Sequence, residues 1–352
     1  MDIYDANCQL SSRYRNLMNT NVDKMTCNEF LKMNKFYIEI VTKLELEFPI
    51  AFSILVYKHL YQFQVLLRTI YRRSNFYCIH VDLDANPQIY SYARKASKCL
   101  KNVHLAPKRI RVTWGTYSTL EAERMCQIFL MKKFKTWKYY MNVAGTELPL
   151  RTNYELVKIL KYMNGSNDVL SRLNMSPERH TRQSFDPIPG NLTISKGEFH
   201  TTLSRAFVEY VYKSRLANKF LEWLSKTPFP DEHFYSTLNR LPTFPGHARV
   251  DYWRSRFVTR YKIWVMEEKR CKSQLFTKKI CQLGWQDLPS IIRSKRLFVN
   301  KFNQQHDFIG IVCMEKWLHN RIMHPKQIQL ERYKDYPPFQ DESEIDEPQI
   351  ET

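Results

Sequence analysis

The 352 residues contain no Cys-x-x-Cys pair, no Gly-x-Gly-x-x-Gly after the first apolar run and no phosphate-binding P-loop pattern. Zinc-ribbon or thioredoxin-type chemistry, dinucleotide binding and P-loop ATP chemistry are set aside on those absences. His-Glu-x-x-His and Gly-x-Ser-x-Gly are missing too, which removes the zincin proteases and the serine-hydrolase elbow. Zinc-finger spacing, an RNP-like aromatic motif and a basic arm with heptads are absent, although the formal net charge is +19. No run of eighteen apolar residues occurs, and the opening MDIYDANCQLSSRYRNLMNTN is polar, so neither a signal peptide nor a membrane span is written in this sequence. There are no internal repeats.

What is present is a core-forming, basic chain. Hydrophobic residues make up 43% and aromatics 14% of it. The 54 Lys and Arg outnumber 35 Asp and Glu without forming one block, a balance that favours an anionic partner such as a diphosphate-bearing substrate over nucleic acid. Eight scattered cysteines, at 8, 27, 78, 99, 126, 271, 281 and 313, fit four disulfides and an oxidising compartment, or else eight buried thiols. Three sequons begin at Asn164, Asn174 and Asn191, each a weak signal alone.

Residues up to Phe48 carry no clear period and read as an N-terminal arm. The apolar run from Ile50 to Tyr57 reads as a buried strand, and residues 59–71 as a helix. Strands follow at 76–81, 103–106 and 137–143. Helices are expected at 89–99, at 118–135 with Ser118 or Thr119 as cap, and at 153–163 with Asn153 as cap. This alternation predicts a mostly parallel, helix-covered sheet whose ligands sit beyond the carboxyl ends of its strands, near Asp82, Trp114 and the 145–149 loop. Residues 165–197 read as a polar surface excursion, 207–224 as a helix and 233–241 as another. Past Met323 an acidic tail carries no inferable fold. The expected domains are an arm over 1–48, a catalytic domain over 49–323 and a tail over 324–352.

Few residues stand out chemically. Asp82 and Asp84 match the letters of a metal-binding DxD triplet, with nothing else metal-like nearby. Asp231 and Glu232 precede a helix. Asp231 could cap it and both acids could merely complement its dipole, or Glu232 could be a general base. Lys301 is a lone cation among apolar residues, and Lys278 and Lys279 form a pair. Each reads as a surface lysine or as an anion ligand.

Together, five segments resemble the core 2/I-branching β-1,6-N-acetylglucosaminyltransferase family, which is related to peptide-O-xylosyltransferases. They are EFPIAFSILVYK (47–58), NFYCIHVDLDA (75–85), WKYYMNVAGTELPLRTNYELV (137–157), LEWLSKTPFPDEHFYSTLNRLP (221–242) and RLFVNKF (296–302). The resemblance implies a GT-A-type fold, a Rossmann-like mixed sheet flanked by helices and stapled by disulfides Cys8–Cys313, Cys27–Cys99, Cys78–Cys126 and Cys271–Cys281. It implies an inverting transfer from a UDP-sugar, with GlcNAc foremost, to an O-glycan or glycoprotein acceptor, without a metal or other cofactor. Glu232 would be the base. Lys301 and Lys278, or Lys279 in its place, would hold the diphosphate, with Val56 and Asp82 beside the nucleotide. On the acceptor side it points to Arg179, Arg182, Glu147, Tyr261 and Trp264. There the chain departs from the family pattern: an expected acid falls near Ser171, and an expected aromatic pair falls on Arg260 and Lys262. Glucosyl or xylosyl transfer, an inactive glycan-binding relative and a polyanion-binding protein remain alternatives. The resemblance also implies a type II protein of the Golgi lumen with its anchor missing from this sequence.

Overall fold

The computed structural model describes residues 22–36, 41–173, 187–247 and 257–333. Two short helices come first, α1 (Cys27–Asn34) and α2 (Lys43–Glu47). Each begins with a capping box, Thr26 with Glu29 and Thr42 with Glu45, so helical turns form in what the sequence pattern gave as an aperiodic arm. Phe30 of α1 is buried against Tyr92, with ring centroids 5.3 Å apart.

The main sheet follows. Its strands are β1 (Ile50–Val56), β2 (Phe76–Val81), β3 (Val103–Leu105) and β4 (Tyr139–Ala144), and the helices between them are α3 (Leu60–Ile70), α4 (Pro87–Cys99) and α5 (Tyr117–Lys133). After β4 come β5 (Glu147–Pro149), α6 (Asn153–Tyr162), β6 (Asp168–Val169) and β7 (Thr201–Ser204). The six-stranded order is β3-β2-β1-β4-β7-β6, parallel through β4 and antiparallel beyond it. This is the mixed, helix-flanked sheet of the GT-A type. Strand β1 is covered on both sides: Ile50, Phe52, Ile54 and Val56 face one core and Ala51 faces the other. That double burial explains why it reads as a continuous apolar run. From β1 the chain runs outward through β2 to β3 and then crosses back to place β4 on the other side of β1, so the switch point lies between the carboxyl ends of β1 and β4.

The second half holds α7 (Arg205–Lys213), α8 (Arg215–Ser225), a 3-10 turn at Pro230–Glu232, α9 (Phe234–Leu238) and β8 (Arg260–Tyr261). It continues with the hairpin β9 (Phe276–Thr277) and β10 (Ile280–Cys281), α10 (Leu288–Ile292), β11 (Phe298–Asn300) and α11 (Phe308–Met323). Strands β5, β11 and β8 form a small second sheet. Arg68 of α3 clamps α11 through a forked pair with Glu315 at 2.5 and 2.6 Å. Among the described residues no helix is long and apolar enough to cross a membrane.

Several boundaries differ from the sequence reading. The helix expected over 207–224 is two, because Ser214 ends α7 and its side chain caps α8. The caps of α5 and α6 are Thr116, two residues ahead of Ser118 and three ahead of Thr119, and Thr152, one ahead of Asn153. The polar stretch from 165 is not all surface: Asp168 is fully buried in β6, its Oδ2 accepting from the backbone N–H of Val258 and Thr259 at 3.0 and 2.6 Å. Ordered structure also runs past Met323, to a 3-10 turn at Leu330–Tyr333 whose buried Tyr333 donates to Lys295 O at 2.8 Å.

Disulfides join Cys27 to Cys99, Cys78 to Cys126 and Cys271 to Cys281. Cys313 is also disulfide-bonded, and its expected partner Cys8 lies outside the described residues.

Candidate active site

Glu232 does not begin a long helix. Phe229 adopts a left-handed conformation (φ 56°), Pro230 follows, and residues 230–232 tighten into the 3-10 turn. Asp231 therefore does not cap α9, whose N-cap position is His233 and which has no side-chain cap. Two close approaches hold the turn. Gly115 (φ 80°) lies so near Phe229 that a Cβ would meet the ring at 2.9 Å, and its carbonyl accepts from Phe229 N–H at 2.9 Å. Gly197 donates to Glu232 O at 2.6 Å from a position where a Cβ would meet Leu170 O at 2.2 Å. The Glu232 carboxylate faces partly to solvent and pairs with Lys196 at 3.5 Å.

Beneath the turn sit two further acids. Asp231 as a residue is partly buried, but its Oδ1 is enclosed and has no hydrogen-bond partner. Burial, reinforced by the Glu232 charge, pushes its carboxyl up to about 7. Glu123 of α5 is fully buried, receives Tyr140 O–H at 3.4 Å on one oxygen and has no donor on the other. Burial, helped by Asp231, pushes it up to about 8. An ionised carboxylate without donors is costly in such a place, so burial favours the protonated form of both acids.

The lysines gather on the other side. The hairpin turn between β9 and β10 is Lys278-Lys279, both with positive φ (50° and 65°). Two-residue hairpins of this kind usually carry Asn or Gly, and a non-glycine residue there costs about 1–3 kcal/mol, strain of the sort that collects at functional sites. The Cys271–Cys281 bridge closes the loop that bears the turn. Lys278 Nζ lies 4.1 Å from the centroid of the Trp114 ring. Lys301, one residue past β11, donates to Thr277 O at 3.2 Å. Burial and then the positive charges of Lys262, Lys278 and Lys58 push the Lys301 ammonium down to about 8. Burial and Lys58 also lower Lys278, and Asp231 opposes them. The structure thus brings Lys301 and Lys278 together and adds Lys58, past the carboxyl end of β1. Trp114 joins the two halves: its ring meets Phe229, ahead of Glu232, edge-on at 4.8 Å and carries Lys278 on its face.

At the strand ends, Val56 is buried and its carbonyl accepts from Asp82 N–H at 2.8 Å. Asp82 accepts from Asp84 N–H and Val112 N–H at 2.8 and 2.9 Å, and Asp84 pairs with Arg111 at 2.6 Å. The two carboxylates of the DxD letters are thus engaged separately. A cavity of about 370 Å³ opens here, lined by Lys58, His59, Asp84, Asn86, Gln88 and Gln304 among others.

Residues 50–292 match the model of the Core-2/I-Branching enzyme family. The chain belongs to that family. It is 30% identical over 333 residues to a Homo sapiens protein named "Beta-1,3-galactosyl-O-glycosyl-glycoprotein beta-1,6-N-acetylglucosaminyltransferase 3", covering 86% of this chain and 75% of that one. The Ovis aries protein of the same name is 31% identical, covering 86% and 74%. A Bovine herpesvirus 4 protein named "Beta-1,3-galactosyl-O-glycosyl-glycoprotein beta-1,6-N-acetylglucosaminyltransferase" is 30% identical, covering 86% and 75%. The chain is accordingly a glycosyltransferase of the core-2/I-branching type.

In this branching enzyme Glu147 is fully buried in the second sheet, away from solvent. Its oxygens accept from Arg260 Nε at 3.0 Å, Asn300 Nδ2 at 2.8 Å and Ala144 N–H at 3.1 Å, with His200 alongside. Burial alone would raise its carboxyl, but Arg260, His200 and the Ala144 N–H together outweigh that and hold it down at about 2. Ser171 is buried beneath the Glu232 turn, bonded to Ser195 at 2.5 Å and to Ser236 O at 3.2 Å. Tyr261 is largely buried, its hydroxyl 3.2 Å from that of Ser290, and Trp264 is half-buried with Lys262 Nζ 5.6 Å from its ring centroid. Arg179, Arg182 and Asn174 lie outside the described residues. Asn164 and Asn191 are exposed at positive φ.

Sequence reasoning missed Lys58 and Glu123. The first had a signal, since it follows the carboxyl end of a buried parallel strand. The second had none, because a lone Glu inside a helix normally faces water.

Proposed function

We propose that the enzyme transfers GlcNAc from UDP-GlcNAc to an O-glycan carrying β-1,3-linked galactose, forms a β-1,6 branch, inverts the anomeric centre and needs no metal. The names of its relatives support the donor sugar, the linkage and the acceptor class. The observation that carries the mechanism is the Trp114 ring, with the base-bearing turn against its edge and the Lys278 ammonium over its face.

The acceptor hydroxyl gives its proton to Glu232 as its oxygen forms a bond to C1 of the donor. The C1–O bond to UDP breaks on the opposite face, which inverts the centre. Negative charge grows on the departing diphosphate, where Lys301, Lys278 and Lys58 stand preformed. Their mutual repulsion, recorded in the lowered Lys301, is relieved when a dianion enters. The nucleotide would occupy the carboxyl edge of β1 and β2 near Asp82. The disulfides and the two exposed sequon asparagines support a lumenal, Golgi-type setting.

The test is a screen of UDP-GlcNAc, UDP-glucose and UDP-xylose against a galactosyl-β-1,3-GalNAc acceptor in EDTA, with product linkage determined. A β-1,6-GlcNAc product is expected. Transfer only from another donor, or only after Mn²⁺ is restored, would overturn the reading.

A further inference from the structure

Glu147 is a fully buried carboxylate that the transfer reaction above leaves unused. It pairs across the second sheet with Asn300, the last residue of β11 and the one before Lys301. Both of its oxygens are taken. Oε2 accepts from Ala144 N–H at 3.1 Å and Arg260 Nε at 3.0 Å, and Oε1 accepts from Asn300 Nδ2 at 2.8 Å with His200 alongside. Its oxygens thus face protein donors and not a surface that a sugar could reach. Arg260 and His200 hold the carboxylate in one orientation, so Asn300 meets a fixed acceptor.

A lysine carries its charge on a flexible four-carbon stem, so an ammonium that must stand ready for a departing diphosphate needs a fixed root. At Lys301 the backbone is held on both sides. Ahead of it, Asn300 is tied to Glu147. Behind it, Phe302 N–H donates to Thr146 O at 3.0 Å, and Lys301 O itself accepts from Leu283 N–H at 2.9 Å. Thr146 and Glu147 continue from Gly145, which donates to Leu55 O at 2.8 Å. Gly145 lies so near Val56 that a Cβ would meet Val56 Cγ1 at 3.2 Å. Residues 145–147 therefore bridge the carboxyl end of β1 and the root of Lys301.

We infer that Glu147, acting through Asn300, is a positioning residue for Lys301: the 145–147 bridge sets the lysine at a fixed reach from the end of β1, the distance that a nucleoside diphosphate has to span. The inference rests on the reading of Lys301 as a diphosphate ligand. Glu147 touches neither sugar nor phosphate in this role.

Asn300→Ala cuts the link and leaves the Glu147–Arg260 pair in place. UDP affinity is measured by calorimetry for the wild type, Asn300→Ala, Lys301→Met and the double variant, with thermal melts to check folding. Asn300→Ala should weaken UDP about tenfold beside an intact Lys301 and no further beside Lys301→Met, because residues that act through one group are not additive. Glu147→Asp keeps the charge beside Arg260 but shortens the arm to Asn300. It should show the same pattern, and it carries the test where Asn300→Ala does not fold. In transfer to galactosyl-β-1,3-GalNAc, both variants should raise the donor KM and leave the acceptor KM unchanged. Wild-type UDP affinity in both variants, an equal loss with and without Lys301, or a rise confined to the acceptor KM overturns the positioning role and leaves the diphosphate reading standing. If Lys301→Met alone binds UDP like the wild type, the diphosphate reading falls and the positioning role falls with it.

Discussion

Lys301 offers a quantitative test through pH. Its ammonium titrates at about 8 in the empty protein because it is largely buried among Lys262, Lys278 and Lys58. A bound diphosphate stabilises the charged form, so the group is raised in the complex and binding takes up a proton above pH 8. UDP affinity should therefore fall as pH rises through that value. With a titration near 8 the charged fraction drops from about nine-tenths at pH 7 to about one-tenth at pH 9, a tenfold loss of affinity or about 1.4 kcal/mol. The terminal phosphate is already ionised there, its second pKa being about 6. Calorimetric titration with UDP at pH 7, 8 and 9, in two buffers of different ionisation enthalpy, reads both the affinity and the proton. Lys301→Arg keeps its charge throughout and should bind UDP with little dependence on pH over that range. Lys301→Met should bind weakly at every pH. A flat wild-type profile, or the wild-type slope in Lys301→Met, would refute the reasoning.

Two stability predictions follow from the buried acids. The Asp231 carboxyl is raised to about 7 in the folded protein from 3.8, so the folded state holds the extra proton and the wild type loses stability as pH rises from 4 to 7. Asp231→Asn should grow more stable relative to the wild type over that window, by about 4 kcal/mol at most, in denaturant melts; a constant difference would contradict the buried proton. Glu147 is lowered to about 2, so its contribution is present above 4.5 and is lost as pH falls towards 2. Glu147→Ala strands the buried Arg260 and should cost about 3–5 kcal/mol at pH 7, a deficit that shrinks in acid; a cost below about 1 kcal/mol would deny it that role.

The parallel half of the sheet was readable because β1 and β2 are buried on both faces and carry unbroken apolar runs. The antiparallel edge was not. Thr201–Ser204 and Asp168–Val169 are polar in sequence, and their burial depends on distant partners, such as Thr259, whose hydroxyl meets Thr202 at 2.8 Å. Pattern alone left Glu232 open between helix-dipole partner and base, and only the resemblance named it. The turn around it hangs on contacts from Gly115 and Gly197, more than thirty residues away in each case, so the sequence showed the helix that follows but not the 3-10 turn at Pro230–Glu232. Pattern left Lys301 and Lys278 open between surface lysine and anion ligand for the same reason: their cluster forms only when β11 and the β9–β10 hairpin meet the end of β1.

Glu232→Gln, measured for sugar transfer and UDP affinity in one preparation, decides the matter most directly. The swap keeps shape but cannot accept a proton, so turnover should fall by about 10²–10⁴ while UDP binds as before. Turnover within a few-fold of the wild type would show that the acceptor's proton goes elsewhere.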